Sequence, residues 1–394
     1  MGAVADIISE GVLDGAQSLL DTYMSIAERD HLLVAYTPES RRYAAIISAV
    51  CEARGITNDC LPMHPIRDET IAARLRRWAD GVSPIAPDGT IHILTLERDT
   101  MSHQVTFNAL KTHWPRADVR LSRAISVCDA FFEMAMTVAP ETLSRRNSHV
   151  LSFCWGRTDV RVKTDGGTDL EITFDSERYD WINNRGKARE GGTTILPAGE
   201  VATYPARIDG RLVADFAYNV NAINRLDSRL DDTPVTVEIE DGMAVDYSCD
   251  SGEVMRFLDD CFSRHFARHV GEVGFGTHPA VHDPIYMNSH INERSPGIHI
   301  GFGQHNQLGP DPGYQAQIHF DLIARGAKLS AKGKELDLLD LRDAEPVGEF
   351  TTRDEDVFSP EFEDLDVEDC CGLLKVDGLE LFSDLLGCDA HSAS

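Results

Sequence analysis

Two short, unbroken apolar runs set the first limit on the fold: His31-Leu32-Leu33-Val34-Ala35-Tyr36 and Ile91-His92-Ile93-Leu94-Thr95-Leu96. A strand that is apolar at nearly every position, rather than at alternate ones, is buried on both faces. That is the mark of a parallel sheet covered by helices. The intervening chain agrees. Thr37-Pro38-Glu39-Ser40 opens a stretch from Arg41 to Arg54 with apolar residues at helical spacing, and Gly55 closes it. Residues 1–30 read as helical, Met101-Ser102-His103 leads into another helical stretch, and Val119–Val127 fits a third strand. The alternation predicts an α/β layer over residues 30–135. That layer has no G-x-G-x-x-G after its first strand and no G-x-x-x-x-G-K-[ST], so nucleotide binding is not supported.

The pattern changes near residue 146. Val160-Arg161-Val162-Lys163 and Leu170-Glu171-Ile172-Thr173-Phe174 alternate apolar with polar, and Thr164–Asp169 between them holds Gly166-Gly167, so the pair predicts a hairpin. Val213–Ala217 and Val235–Ile239 read as strands and Asp241-Gly242 as a turn. Residues 251–269 read as a helix with Val254, Phe257, Leu258, Cys261 and Phe262 on one face. The expected organisation is an N-terminal α/β layered domain at 1–145, a C-terminal α+β domain at 146–336 and an acidic extension at 337–394. That extension holds 18 acidic and 3 basic residues, more than half of the chain's net negative charge, yet keeps apolar residues such as Leu373, Leu381 and Phe382. It reads as a solvated appendage, with a lid or docking segment as the sharper alternative.

Charge narrows the functional classes. The 394 residues carry a formal net charge of −28. Binding a phosphate backbone or an anionic membrane surface needs clustered cations, so neither nucleic acid nor membrane is an expected partner. No run approaches the roughly 18 apolar residues of a membrane span, and Met1–Asp6 carries no readable secretory signal. The nine cysteines are scattered without C-x-x-C zinc spacing, which fits free thiols in a reducing cytoplasm.

Histidine is unevenly placed. Eight of 15 lie between His265 and His319, where even scatter would put about two. Imidazole is the commonest transition-metal ligand and is rarely enriched for packing, so the clustering points to a metal site. Four segments supply candidates. Leu196-Pro197-Ala198-Gly199-Glu200-Val201 sets a carboxylate after a Pro/Gly turn, and Gly271-Glu272-Val273-Gly274-Phe275-Gly276 sets one among glycines that admit close backbone approach. Gly297-Ile298-His299-Ile300-Gly301-Phe302-Gly303 is a strand with one His. In Ile318-His319-Phe320-Asp321-Leu322, His319 and Asp321 are two apart and share a side of an extended chain.

Each signal has a plainer reading. A lone His in an apolar strand is more often a core residue, a Glu after a turn is usually solvated, and H-x-D alone is weak. The set as a whole is what points to a metal. His265 and His269 have i, i+4 spacing without the Glu of H-E-x-x-H and read as a solvated helix end. Arg145-Arg146 reads as surface charge. Arg185, Lys187 and Arg189 read the same way, or as holders of a substrate carboxylate. No G-x-S-x-G is present.

In this order the four segments resemble the aminopeptidase T family of metallopeptidases and, equally, its dioxygenase relatives that open the ring of 2,5-dihydroxypyridine. The family pattern L-P-x-G-E-V, G-E-x-G-x-G, a His-bearing strand ending in Gly, and H-x-D appears as Leu196–Val201, Gly271–Gly276, His299–Gly303 and His319–Asp321. The likeness spans residues 30–335. It implies a two-domain, often dimeric enzyme with a C-terminal metal-binding domain of aminopeptidase T type. In the peptidase branch it implies two divalent ions (Zn, Co or Mn) on Glu200, Glu272, His299, His319 and Asp321. In the dioxygenase branch it implies one Fe(II) on two His and one Asp, with a His at the position of Glu272. The peptidase branch also implies a catalytic Tyr shortly after His299, where this chain has His305-Asn306.

The leading expectation is a hydrolase of amide or peptide bonds. Its nucleophile is a metal-activated water, Glu200 relays the proton, and His305 stands in for the phenol. A small molecule or peptide is the substrate and a homodimer the expected assembly. The alternatives are an Fe(II) dioxygenase cleaving a hydroxylated aromatic or pyridine ring, and a scaffold repurposed for partner binding through its acidic tail.

Overall fold

A computed structural model describes residues 8–65, 68–82, 89–98, 101–114, 118–188, 192–222, 224–308, 310–341, 350 and 352. The expected acidic extension therefore lies, beyond Leu341, almost wholly outside the described residues, as does Arg189. The fold is α/β. In chain order the strands are β1 (His31–Tyr36), β2 (Thr57–Pro62), β3 (Ile91–Leu96), β4 (Val119–Ala124), β5 (Val160–Lys163), β6 (Asp169–Thr173), β7 (Trp181–Asn184), β8 (Thr193–Leu196) and β9 (Glu200–Thr203). They continue with β10 (Arg207–Ala214), β11 (Ala217–Val220), β12 (Val235–Glu240), β13 (Met243–Ser248), β14 (Val270–Gly276), β15 (Gly297–Gly303), β16 (His319–Arg325), β17 (Lys328–Ala331) and β18 (Lys334–Asp337). The helices are α1 (Glu10–Ser18), α2 (Arg41–Ala53), α3 (Ile71–Gly81), α4 (Gln104–Leu110), α5 (Pro140–Cys154), α6 (Gly252–Phe262) and α7 (His290–Glu293).

The chain forms two compact units. The first takes residues 8–98, His103–Pro140 and Gly186–Pro197, and the second takes 101–102, Glu141–Arg185 and the chain from Ala198 on. In the first, a parallel sheet runs β2-β1-β3-β4-β8. The largely apolar strands β1 and β3 sit near its centre, and their inner residues are buried. α2 follows a turn in which Thr37 and Ser40 cap each other, and Gly55, at φ +71°, ends it in a conformation that favours glycine. The edge strand β2, Thr-Asn-Asp-Cys-Leu-Pro, is half exposed and lacks a strand-like pattern. β8 comes from beyond residue 146, so the first sheet is completed by a short segment that returns from the later chain.

The second unit holds two antiparallel sheets. One has seven strands in the order β13-β12-β10-β6-β5-β17-β18 and contains the expected β5–β6 hairpin. The other has six in the order β11-β16-β15-β14-β9-β7. A continuous apolar core joins them, with Val162 and Leu170 from one sheet and Phe275, Ile300, Phe302 and Phe320 from the other. Phe262 of α6 caps the six-stranded sheet, with its ring 5.3 Å from Phe302 and 4.9 Å from Phe320.

α6 is shorter than its sequence suggests. It ends at Phe262 and residues 263–268 form turns, because Phe266 at φ +59° cannot continue a helix. His265 and His269 therefore do not share a helix face. Arg146, expected at the surface, is buried, and its Nε donates to the Thr277 carbonyl at 2.6 Å.

One buried carboxylate in the first unit ties its loops together. Asp30 accepts from the amides of Ala27 (2.8 Å) and Thr90 (2.9 Å), and His92 Nε2 lies 3.4 Å away. Burial by itself would raise this carboxyl. The contacts to His92, Thr90 and Ala27 prevail and hold it near 2. A depressed folded pKa means stability that is present above the unfolded value and lost as pH falls from about 4 through 2. Asp30→Asn is expected to cost about 2 kcal/mol at pH 6, with the deficit shrinking below pH 3, in denaturant titrations at both pH values.

Candidate metal centre

The six-stranded sheet has one apolar and one polar face. Alternation along its strands sends Val201, Val273, Phe275, Ile298, Ile300, Phe302, Phe320 and Leu322 to the core. It sends Glu200 of β9, Glu272 of β14, His299 of β15, and His319 and Asp321 of β16 to the other side. Cross-strand register draws these five together. Gly276 pairs with Glu200, Gly274 with His299, Gly301 with both Glu272 and Asp321, and Gly303 with His319. All five are buried, none more than 4% exposed.

The ligand atoms fall into two groups, each within 4.8 Å: Glu200, Glu272 and His299, and Glu272, His319 and Asp321. Glu272 belongs to both. His299 Nε2 lies 2.9 Å from Glu200 Oε1 and 3.4 Å from Glu272 Oε1, and His319 Nε2 lies 3.3 Å from Asp321 Oδ2. The other nitrogen of His319, Nδ1, lies 2.6 Å from the Gln304 carbonyl, which makes it the donor and turns Nε2 toward the carboxylates. Burial would make His319 less basic, but Asp321 and Glu272 outweigh it and raise the imidazole to about 9. Burial likewise would raise Asp321, and the imidazoles of His319, His299 and His290 pull it below the ordinary carboxylate range. Such mutual stabilisation of positive and negative forms is what a cation-binding cluster does with a proton in the cation's place.

The residues fit a divalent ion on two further grounds. Asp321 Oδ1 and His299 Nδ1 are buried without a hydrogen-bond partner. Buried polar atoms are normally satisfied, so these orphans mark a place for a ligand. The floor of the cluster is also glycine. A Cβ at Gly301 would come within 2.7 Å of His319, 2.8 Å of Glu272 and 2.9 Å of Asp321, and one at Gly274 would overlap the His299 ring. The side chains converge because β14 and β15 present backbone alone beneath them.

The residues that support the cluster carry no motif in the sequence. Among them, Ser289 caps the short helix α7, which delivers Glu293 and Arg294 over Gly276, where a Cβ would overlap the carbonyls of Ser295 and Glu293. Arg294 is fully buried and pairs through Nη1 with Glu200 Oε2 and, at 3.2 Å, with Glu293. Asn306 donates to Glu272 Oε2 at 2.7 Å. Asn147 of α5 holds β7 and β9 together by donating to the carbonyls of Asn184 (3.0 Å) and Glu200 (2.9 Å). His290, wholly buried, has its imidazole pushed down to about 4 by burial, with His319 and His299 adding to the shift. His305, expected to replace a catalytic phenol, is held by backbone on both sides: Nε2 lies 2.8 Å from the Tyr314 carbonyl and Nδ1 accepts from the Gln307 amide at 3.2 Å. The next residue, Asn306, is the one that reaches the cluster.

Comparison with known proteins finds the same fold in solved structures. The fold is similar to that of a 2,5-dihydroxypyridine dioxygenase from Pseudomonas putida KT2440, at 14% identity and a TM-score of 0.58 over 86% of this chain and 99% of that one. Wild-type AmpT from Thermus thermophilus is also a structural neighbour, at 14% identity and a TM-score of 0.47 over 83% of this chain and 97% of that one. A family described as Crocagin biosynthetic protein CgnE/B matches residues 208–331, less than half of the chain but including Glu272, His299, His319 and Asp321. No curated protein matches the sequence.

Filling the glycine floor tests the cluster without touching a ligand. Gly301→Ala is expected to destabilise the protein by about 1–3 kcal/mol through overpacking and to weaken zinc binding in calorimetric titration. Gly81→Ala, where a Cβ meets nothing within 4 Å, is expected to leave both unchanged.

Proposed function

We propose that this chain is a metal-dependent hydrolase of amide or peptide bonds, acting on a peptide or a small amide. The observation that carries the reading is the make-up of the ligand groups. Each combines one imidazole with two carboxylates, and Glu272 is common to both. A mononuclear Fe(II) oxygenase site uses the reverse ratio, two His and one carboxylate. Neither group among the described residues offers it.

Glu272, His319 and Asp321 would hold the ion, and a divalent ion there supplies a Lewis acid that polarises a carbonyl and makes water a nucleophile near neutral pH. The chain's own residues handle orientation and protons. Gln304 fixes the His319 ring and Asn306 fixes one oxygen of Glu272. Glu200, the residue expected to relay the proton, has both oxygens engaged, Oε1 by His299 and Oε2 by Arg294. Arg294 holds one of its oxygens and the other faces His299, so Glu200 orients His299. We therefore assign the transfer of a proton to the leaving amine to His299.

One observation favours ring-opening oxygenation instead. With Glu200 tied to Arg294, Glu272–His319–Asp321 is the group left free for an ion, and that chemistry uses a single ion. Measured rates separate the readings. With Zn, Co or Mn, the protein is expected to release amine from aminoacyl amides or short peptides. His319→Ala and Glu272→Gln are expected to lose more than the roughly 10–100-fold that removal of a mere supporting partner costs. Oxygen uptake with Fe(II) and a hydroxylated pyridine, without any amide hydrolysis, would reverse the assignment.

A further inference from the structure

The two ligand groups are not equivalent, and the difference lies in Arg294. Its guanidinium is fully buried and carries a permanent charge, since arginine does not lose its proton in proteins. It pairs with two buried carboxylates, Glu200 and Glu293, and Asn219 donates its side-chain amide to Glu293 from the neighbouring strand β11. Glu200 has both oxygens engaged, by His299 and Arg294. Glu272 has one facing His299 and the other accepting from Asn306. Asp321 alone among these carboxylates has an oxygen, Oδ1, that is buried and unsatisfied. Unmet carboxylate capacity thus lies at the Glu272–His319–Asp321 end, whereas at the Glu200–His299 end the unpartnered atom is an imidazole nitrogen, His299 Nδ1, and a fixed positive charge lies beside it.

We propose that Arg294 stands in for a second ion: its guanidinium neutralises Glu200, so that the centre binds one divalent ion tightly, at Glu272–His319–Asp321. The proposal rests on the reading that these three residues hold a metal. A doubly charged ion placed among Glu200, Glu272 and His299 would lie beside the guanidinium. Like-charge repulsion in a buried site weakens binding there on the order of 1000-fold or more. The Glu200–Arg294 pair is then a permanent part of the site, and its place is with His299, in positioning, rather than in ligation.

Zinc stoichiometry tests this on the full chain, stripped with chelator and titrated in a zinc buffer by calorimetry and elemental analysis. The wild type is expected to bind one Zn²⁺ per chain tightly. Arg294→Met, which removes the charge and keeps much of the bulk, is expected to bind two. Glu200→Gln is expected to keep the single ion, with affinity lowered by no more than the roughly 10–100-fold that removal of a supporting partner costs. Two tight ions in the wild type would overturn the proposal and leave the metal reading intact, whereas no tight zinc in any variant would overturn both. If burying two unpaired carboxylates unfolds Arg294→Met, Glu200→Gln decides alone. Retention of one ion supports the role given to Arg294, and loss of the ion overturns it.

Discussion

Four carboxylates, Glu200, Glu272, Glu293 and Asp321, are buried together on one side of one sheet. That is the constraint on which the rest of the second unit depends. Isolated buried carboxylates are prohibitively costly, and they persist only when paired, hydrogen-bonded or bound to metal. Arg294 answers for Glu200 and Glu293. His319 and His299 answer in part for Asp321 and Glu272, and an oxygen of Asp321 still lacks a partner. The divalent ion proposed above would meet that oxygen.

The six-stranded sheet makes the concentration of charge possible. Its strands alternate, apart from a bulge in β14 before Glu272, so the residues next to each candidate ligand feed the apolar core, and Phe262 of α6 seals that face against Phe302 and Phe320. The polar face is built the opposite way. Gly274 and Gly301 remove side chains where His299, His319, Glu272 and Asp321 must meet, so the distances between ligands are set by backbone spacing. Rigid strands carry all five side chains, and that is where a preorganised metal site is best placed.

Much of this was legible in the chain, and the limits have physical causes. β1, β3 and the α2 helix follow from apolar runs and from Gly55, because parallel strands in the middle of a sheet are buried on both faces and so are mostly apolar. β2 was not legible, since an edge strand containing Asn58, Asp59 and Pro62 shows no pattern for burial to impose. Nor was β8, whose partner β4 lies about seventy residues earlier, a pairing that local pattern does not encode. The five ligand candidates were visible because metal-ligating types stand next to glycines at strand spacing. Arg294 was invisible, because a buried cation in Asn288–Ser295 reads like any polar loop until the carboxylates it serves are placed around it. The surroundings of His305 were not legible either: backbone of Tyr314 and Gln307 meets both of its ring nitrogens.

The central claim is that a divalent ion sits among Glu272, His319 and Asp321. Anomalous diffraction at the zinc edge from crystals grown with zinc tests it most directly. A single strong peak is expected there, with side-chain ligands from these three residues at about 2.0–2.2 Å. A map with no peak there, or with the zinc held by surface histidines instead, would contradict it.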